Sequence, residues 1–506
     1  MKIEHTPTPS SPLDPRRRAA DDSEAGVALV VALLLAVALS AIGASLLLLA
    51  KTDTYASMNY RMMSQARYAA EAGVLRTVNY LTQTYVSPGG GTDPLVNYDT
   101  TVSPVTYNGE PVVLSADPNV TTNYPVSSVA AAFTAAVAGS LNAGAPVAYT
   151  ASARLMSMRE IEEYGATSIK VVQTWHITGT GTISGTRPAT VEVSSVLERQ
   201  IGSAHSFGVF ATKIGCGAAE FGGGSEHDSY DSSSITLQNG QPVTDLTGGR
   251  VGTNGNLNVN GNAQIWGTLS TPRTGVGKCK NGSIVALTAT GQAEVHEGLI
   301  QLPQALEYPT PEPPNPMPPT TAINMSSSSC AVLGIAAPTC TGAVGDLTLD
   351  PLSGTLVFGD VTLNAGATLH LKAGTYNVNS LKVNGDATLI IDTGPVFLNI
   401  AGQGTNQPLD FTGGALSNPS FDPTMFRIVY AGTDPITLTG GMATAAMVYA
   451  PNSPVTVAGG SHFYGSIVGS EVKDTGGAKF HYDRRLNTDF MIAGAYMMSS
   501  FTWRKY

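Results

Sequence analysis

Charge is scarce in this chain. Asp, Glu, Lys and Arg make up 13% of 506 residues, and aromatic residues 7%. What charge there is leans acidic, 37 Asp and Glu against 27 Lys and Arg for a net of −10. That balance excludes nucleic acid as a partner on electrostatic grounds. Cysteine is limited to Cys216, Cys279, Cys330 and Cys340, none in a C-x-x-C spacing, which argues against a zinc site. G-x-S-x-G, H-E-x-x-H and Walker sequences are missing. No catalytic residue, metal ligand or cofactor is therefore assigned, and the reading is non-catalytic. What is abundant is Gly, with 55 residues, alongside Val, Thr, Ala, Asn and Ser. That is the composition of extended β structure with many turns.

One long uncharged run stands out. Val27 to Ala50 reads VALVVALLLAVALSAIGASLLLLA. At 1.5 Å per residue it makes a helix of roughly 36 Å, enough to cross a hydrocarbon core. It exceeds the apolar core of a secretory signal, and no A-x-A site follows. Lys2 and Arg16-Arg17-Arg18 place a short leader, 1–26, in the cytoplasm. The bulk of the chain is then extracytoplasmic. An even cysteine count in an oxidising compartment favours disulfides. Three pairings are open, and sequence proximity favours Cys330 with Cys340 and Cys216 with Cys279.

The helix is expected to continue to Tyr85, because proline is absent until Pro88 and Gly89-Gly90-Gly91 follow. Tyr55, Met58, Met62, Ala66, Ala69 and Gly73 recur at helical spacing on one face, and small faces let helices approach closely. This is read as a filament-core helix, with an anchor plus linker as the plainer reading. A basic leader ending in Gly26, the apolar run, and QARYAAEAGVLR (Gln65–Arg76) resemble the N-terminal region of PilX-type minor pilins of type IV pili. The matching YAAEAG is Tyr68 to Gly73, and the resemblance covers about the first 85 residues. It implies cleavage by prepilin peptidase after Gly26, N-methylation of Val27, and packing of the helix against other pilins or pseudopilins. One departure is Val31, at the fifth mature position, where major pilins carry Glu. Some minor pseudopilins that this chain resembles lack that Glu and sit at the filament tip, so the resemblance implies a tip or initiation position.

Val86 to about Pro125 is polar and reads as loops, and Val126 to Leu141 as an Ala-rich helix. Val147–Met158, Ser168–Ile183 and Ala189–Ile201 alternate apolar and polar as half-buried strands do. Together 86–205 resemble a small α/β pilin head. From about Ser206 repeats appear. Val361–Gly374 (VTLNAGATLHLKAG) and Leu381–Gly394 (LKVNGDATLIIDTG) align at 20 residues, and Ile436–Gly441 and Val455–Gly460 at 19. Leu257–Leu269 follows the same scheme of strand, Asn-Gly turn, strand. A fixed period with alternating apolar residues indicates a β-solenoid-like (β-helix) domain over 206–484, a β-sandwich being the competing reading. Leu363 should then stack on Val383 and Leu369 on Leu389, with Asn364 and Asn384 at corners supplied with positive φ by Asn-Gly and Gly-Gly. The Pro- and Ser-rich segment 302–329 is read as an excursion, and 485–506 as a tail.

The densest polar cluster is Glu226, His227, Asp228 and Asp231, of a type that suits a Ca²⁺ loop or, structurally, a capped turn. His481, Asp483 and Glu471 have the chemistry of a carbohydrate-cleaving acid and base, or of a polar end coil. Trp175-His176 reads as an ordinary strand pair. The chain as a whole is mainly β with a long N-terminal helix. It is read as a minor pilin or pseudopilin in the inner membrane, at the pilus or cell surface after assembly. The alternatives are a membrane-anchored adhesin or stalk, and a membrane-tethered carbohydrate-active enzyme.

Overall fold

A computed structural model describes residues 16–89, 93–142, 146–162, 164, 169–185, 188–439, 444–460, 462–488, 490–499 and 501–505. The expected leader lies largely outside them, but the helix begins earlier than expected. Helix α1 spans Arg16–Gln83, 68 residues. It contains no proline, and 1.5 Å per residue gives about 100 Å. Within its apolar run, Ser40 and Ser45 donate back to the Ala36 and Ala41 carbonyls at 2.7 and 2.9 Å. Their hydroxyls are satisfied inside the helix, so that surface is wholly apolar.

The remainder is mostly β, in two bodies of core. The head is an antiparallel sheet in the order Met491–Met498, Ala189–Ser203, Ile169–Ile183, Pro146–Glu162, Val113–Ser115, and Gly139–Asn142 also pairs with Pro146–Glu162. Inward positions alternate along it, and Ile177, Val191, Val193 and Leu197 are buried against α1. Helix α2, Ser127–Val137, caps one edge through Phe133, whose ring meets Tyr80 at 5.5 Å. Two expectations are corrected here. The 86–125 stretch contains short strands, among them Thr106–Tyr107 and Val113–Ser115. Residues 485–506 are not a tail, since Met491–Met498 and Thr502–Lys505 both pair with Ala189–Ser203. That strand has Ile169–Ile183 on one side only, and the returning chain satisfies its other edge.

Beyond Ser203 the ladders are mainly parallel. Leu363 pairs with Val383 and Leu369 with Leu389, and all four are buried. The corners follow these asparagines, and Gly385 of the Asn384-Gly385 pair has the expected positive φ. The left-handed residues are Ala365 and Gly366 in one coil and Gly385 and Asp386 in the next.

Chain order and stacking order do not agree. One column reads Leu299, Leu269, Val251, Val209, Ile467, Val448, Ile428, Leu398, Tyr376, Leu356. The chain joins this column in its middle, at Val209, and builds outward to Leu299. It then reappears past the opposite end, where Ala322–Asn324 pairs with the strand containing Leu356. From there its layers return to meet the starting layer at Ile467. Ten residues make nine steps, or about 43 Å at roughly 4.8 Å each.

The Pro-rich segment makes that crossing. Twenty residues, 302–321, reach about 60 Å as polyproline II, whereas a 20-residue helix would reach only about 30 Å. Polyproline has few N–H donors, so the stack supplies donors to its carbonyls. Asn254 Nδ2 donates to Leu306 O at 2.8 Å, Tyr449 Oη to Pro309 O at 2.7 Å and Asn377 Nδ2 to Pro316 O at 2.8 Å. The partners follow the stacking order. The expected excursion is thus a strap laid along the stack. Its Ser-rich end leads into a cap closed by the Cys330–Cys340 disulfide, and Cys216 is bonded to Cys279.

Candidate functional site: a half-embedded helix and a buried aspartate–histidine chain

Helix α1 is used in two ways along its length. From Val27 to Ala50 its side chains are exposed, Val27 at 65% and Leu47 at 73%. By length and composition this helix can cross a membrane. Gly26 and Val27 lie on exposed turns of it, and so does Val31. Ala66, Ala69, Ala70 and Val74 are instead fully buried on the head sheet. The approach is backbone to backbone. A Cβ on Gly181 would stand 1.9 Å from the Ala66 carbonyl oxygen, and one on Gly179 2.2 Å from that of Ala70. Only glycine on the strand and small residues on the helix permit this contact. The stripe expected to face other helices is therefore divided. Ala66, Ala69 and Gly73 face the protein's own sheet, whereas Tyr55 and Met58 remain exposed.

The polar residues flagged in the sequence separate into several small arrangements. Strands Glu226–Tyr230 and Lys479–Asp483 pair in parallel with Asp228 beside His481. His481 Nδ1 bonds the Asp228 carboxylate, and both side chains are buried. Its Nε2 lies 2.8 Å from His462 Nδ1. The Tyr464 ring covers His481 at 4.5 Å. Both nitrogens of His481 are engaged. Burial, and then the neighbouring His481, hold the His462 pKa below its ordinary value.

His462 and Tyr464 were not singled out from sequence. The repeat carried the signal, since Tyr464 pairs with His481 in the register of one coil. His227 points inward, its ring 4.5 Å from Phe480 and 4.2 Å from Phe221, and burial lowers its pKa to about 3. Glu226 pairs with Lys479 at 2.7 Å at the surface. Asp231 and Asp483 are turn caps, accepting from Ser233 N at 2.9 Å and Arg485 N at 3.2 Å. Burial raises the Asp483 pKa. Glu471 lies apart from His481, paired with Lys213 and with Lys473 at 3.3 Å. Burial opposes its ionisation, but hydrogen bonds from those two lysines outweigh this and hold its pKa low. Trp175 Nε1 donates to Gln173 at 3.1 Å, and burial lowers the His176 pKa.

A groove of about 300 Å³ opens at a glycine-rich corner lined by Glu220, Asn258, Asn260 and Asp474. Its two carboxylates are engaged, Glu220 with Lys473 at 3.5 Å, and Asp474 with Gly476 N at 2.8 Å and Ala478 N at 3.0 Å. Among the described residues no group of three or more His, Cys, Asp or Glu is placed to hold a metal ion.

A family model described as a domain of unknown function, DUF7305, matches residues 339–489, a range that includes the parallel strands from Thr355–Leu363 to Lys479–Asp483. No curated protein matches the chain. Among solved structures, it is similar to the crystal structure of the competence-associated pilin ComZ from Thermus thermophilus. The two are 15% identical over 88% of this chain and 98% of that one, with a TM-score of 0.23. That score is too low for the two folds to be equated.

Proposed function

We propose that this chain is a non-catalytic minor pilin or pseudopilin, a subunit of a type IV pilus or related secretion filament. The observation that carries the reading is the division of α1 into a bare apolar half and a half embedded in its own sheet. A helix of this kind holds the protein in the inner membrane with the β-rich bulk outside. Withdrawn from lipid, it offers the same apolar length to neighbouring subunit helices. Val31 brings no carboxylate to that contact, which favours a tip or initiation position over a repeated shaft position. The stack of parallel layers, read as a β-solenoid, projects from the head as a surface for partners.

The reading implies that prepilin peptidase cuts after Gly26 and that Val27 is N-methylated. Mass spectrometry of the mature protein from a strain with active peptidase tests this. The expected N-terminus is methylated Val27. A mature chain that still carries Arg16-Arg17-Arg18 would favour a simple membrane-anchored adhesin instead.

A further inference from the structure

Two neighbouring strands of the stack bring two imidazoles together. Strand His462–Asp474 pairs in parallel with Lys479–Asp483, with His462 opposite Lys479 and Tyr464 opposite His481. Side chains two residues apart share a face, so His462 and His481 are diagonal neighbours on it. His481 Nε2 and His462 Nδ1 stand 2.8 Å apart, and the ring planes differ by 19°. His481 is buried, whereas His462 is half-buried, so the pair is reached from solvent through His462.

The surroundings of His481 hold its ring in place. Its Nδ1 bonds the Asp228 carboxylate, buried on the adjoining strand. Tyr464 lies over the ring at 4.5 Å, and Phe421 and Tyr230 pack edge-on against Tyr464 at 5.1 and 5.3 Å. A carboxylate on the far nitrogen is the partner that orients a metal-ligating histidine and raises its basicity. Lys479, opposite His462, carries its own counter-charge in Glu226 at 2.7 Å. Its ammonium is thereby offset where a cation would approach the pair.

We propose that His462 and His481 form a two-imidazole site for a divalent transition metal, with Asp228 as the positioning residue. For an ion about 2.0 Å from each ring, nitrogens 2.8 Å apart subtend about 90° at the ion. That is the angle between neighbouring ligands in a tetragonal Cu²⁺ site, and Cu²⁺ binds nitrogen ligands most tightly among the first-row divalent ions. In the bound state each ring gives an unprotonated nitrogen to the ion and keeps its proton on the other, His481 on Nδ1 toward Asp228 and His462 on Nε2. The half-buried His462 ring makes the turn this requires, because His481 is fixed. Two protein ligands leave the remaining positions to water. No part of α1 enters this site, so the proposal stands independently of the filament reading.

The test titrates the full chain in detergent micelles with Cu²⁺ alone. One saturable equivalent is expected, with a raised melting temperature and an electron paramagnetic resonance spectrum that shows two nitrogen ligands. His462→Gln should remove that equivalent. Asp228→Asn, which takes away the carboxylate behind His481, should weaken binding about tenfold. His370→Gln, at a histidine of another strand bonded to Asp392, should leave binding unchanged. Melting temperatures without metal establish that the variants fold. No saturable equivalent, or a wild-type spectrum without two nitrogen ligands, would overturn the proposal whatever the variants do. So would equal binding by the wild type and folded His462→Gln, the mark of an adventitious ion only.

Discussion

The head and the parallel stack are both β-rich, yet different contacts fix their strands. In the head, register is tied to a non-local partner, the helix backbone lying on Gly179 and Gly181. In the stack, each layer is fixed by its neighbours, as Leu389 is by Leu369 and Leu416. The first arrangement concentrates the cost of an error at one contact. The second spreads it over nearest neighbours, which limits how far damage travels.

Gly181→Val tests the concentrated arrangement and should have the largest effect. The new side chain meets Ala66 O and Ala70 N, both helix backbone, which cannot rotate away as a side chain would. Separation of α1 from the sheet is expected, at more than about 5 kcal/mol. Limited proteolysis should cut the head while the stack stays resistant. A variant whose head resists protease like the wild type would mean that the helix does not sit on this strand.

These two regions were also unequally legible in the sequence. The stack was read from its repeat, because parallel layers place equivalent residues one period apart, and Leu363 and Val383 meet as that period requires. Its order was hidden. Nothing local in 302–321 states that the segment crosses the whole stack, because its partners Asn254, Tyr449 and Asn377 are scattered along the chain. In the head, the small residues of Gln65–Arg76 were visible but their partner was not. Gly179 and Gly181 look like turn residues inside a strand, and only the close approach of Ala66 and Ala70 explains them. Met491–Met498 was missed because a returning edge strand has no periodic neighbour. Of the polar residues, Asp228 and His481 were flagged in separate groups, and the ladder joins them.

Leu389→Ala probes the distributed arrangement. Leu389 is fully buried between Leu369 and Leu416. A cost of about 2–5 kcal/mol is expected, larger if the cavity cannot collapse. Hydrogen exchange should quicken first in Thr368–Leu371 and Ala415–Ser417, the adjoining strands, while Leu257–Val259 keeps its protection. Uniform loss of protection across the stack would contradict nearest-neighbour coupling.

The smallest effect distinguishes the seam between the two regions from the interior of the stack. His205 is buried at the seam with Tyr164, Tyr449 and Phe490, and burial followed by Arg427 lowers its pKa to about 3. His227 is buried inside the stack, where burial and then His481 lower its pKa to about 3. An unfolded chain takes up these protons near pH 6.5, while the folded chain refuses them until about pH 3. The stabilisation from each neutral ring is therefore present above pH 6.5 and is lost as pH falls toward 3. The slope is about 1.4 kcal/mol per pH unit for each histidine. Denaturant melts at pH 7 and pH 5 should differ by about 2 kcal/mol per histidine. His227→Phe, with its ring kept between Phe221 and Phe480, should remove that share from the stack transition alone. His205→Phe should remove it from the step that separates head and stack. If neither variant reduces the acid sensitivity, the two rings are not held neutral in the folded protein.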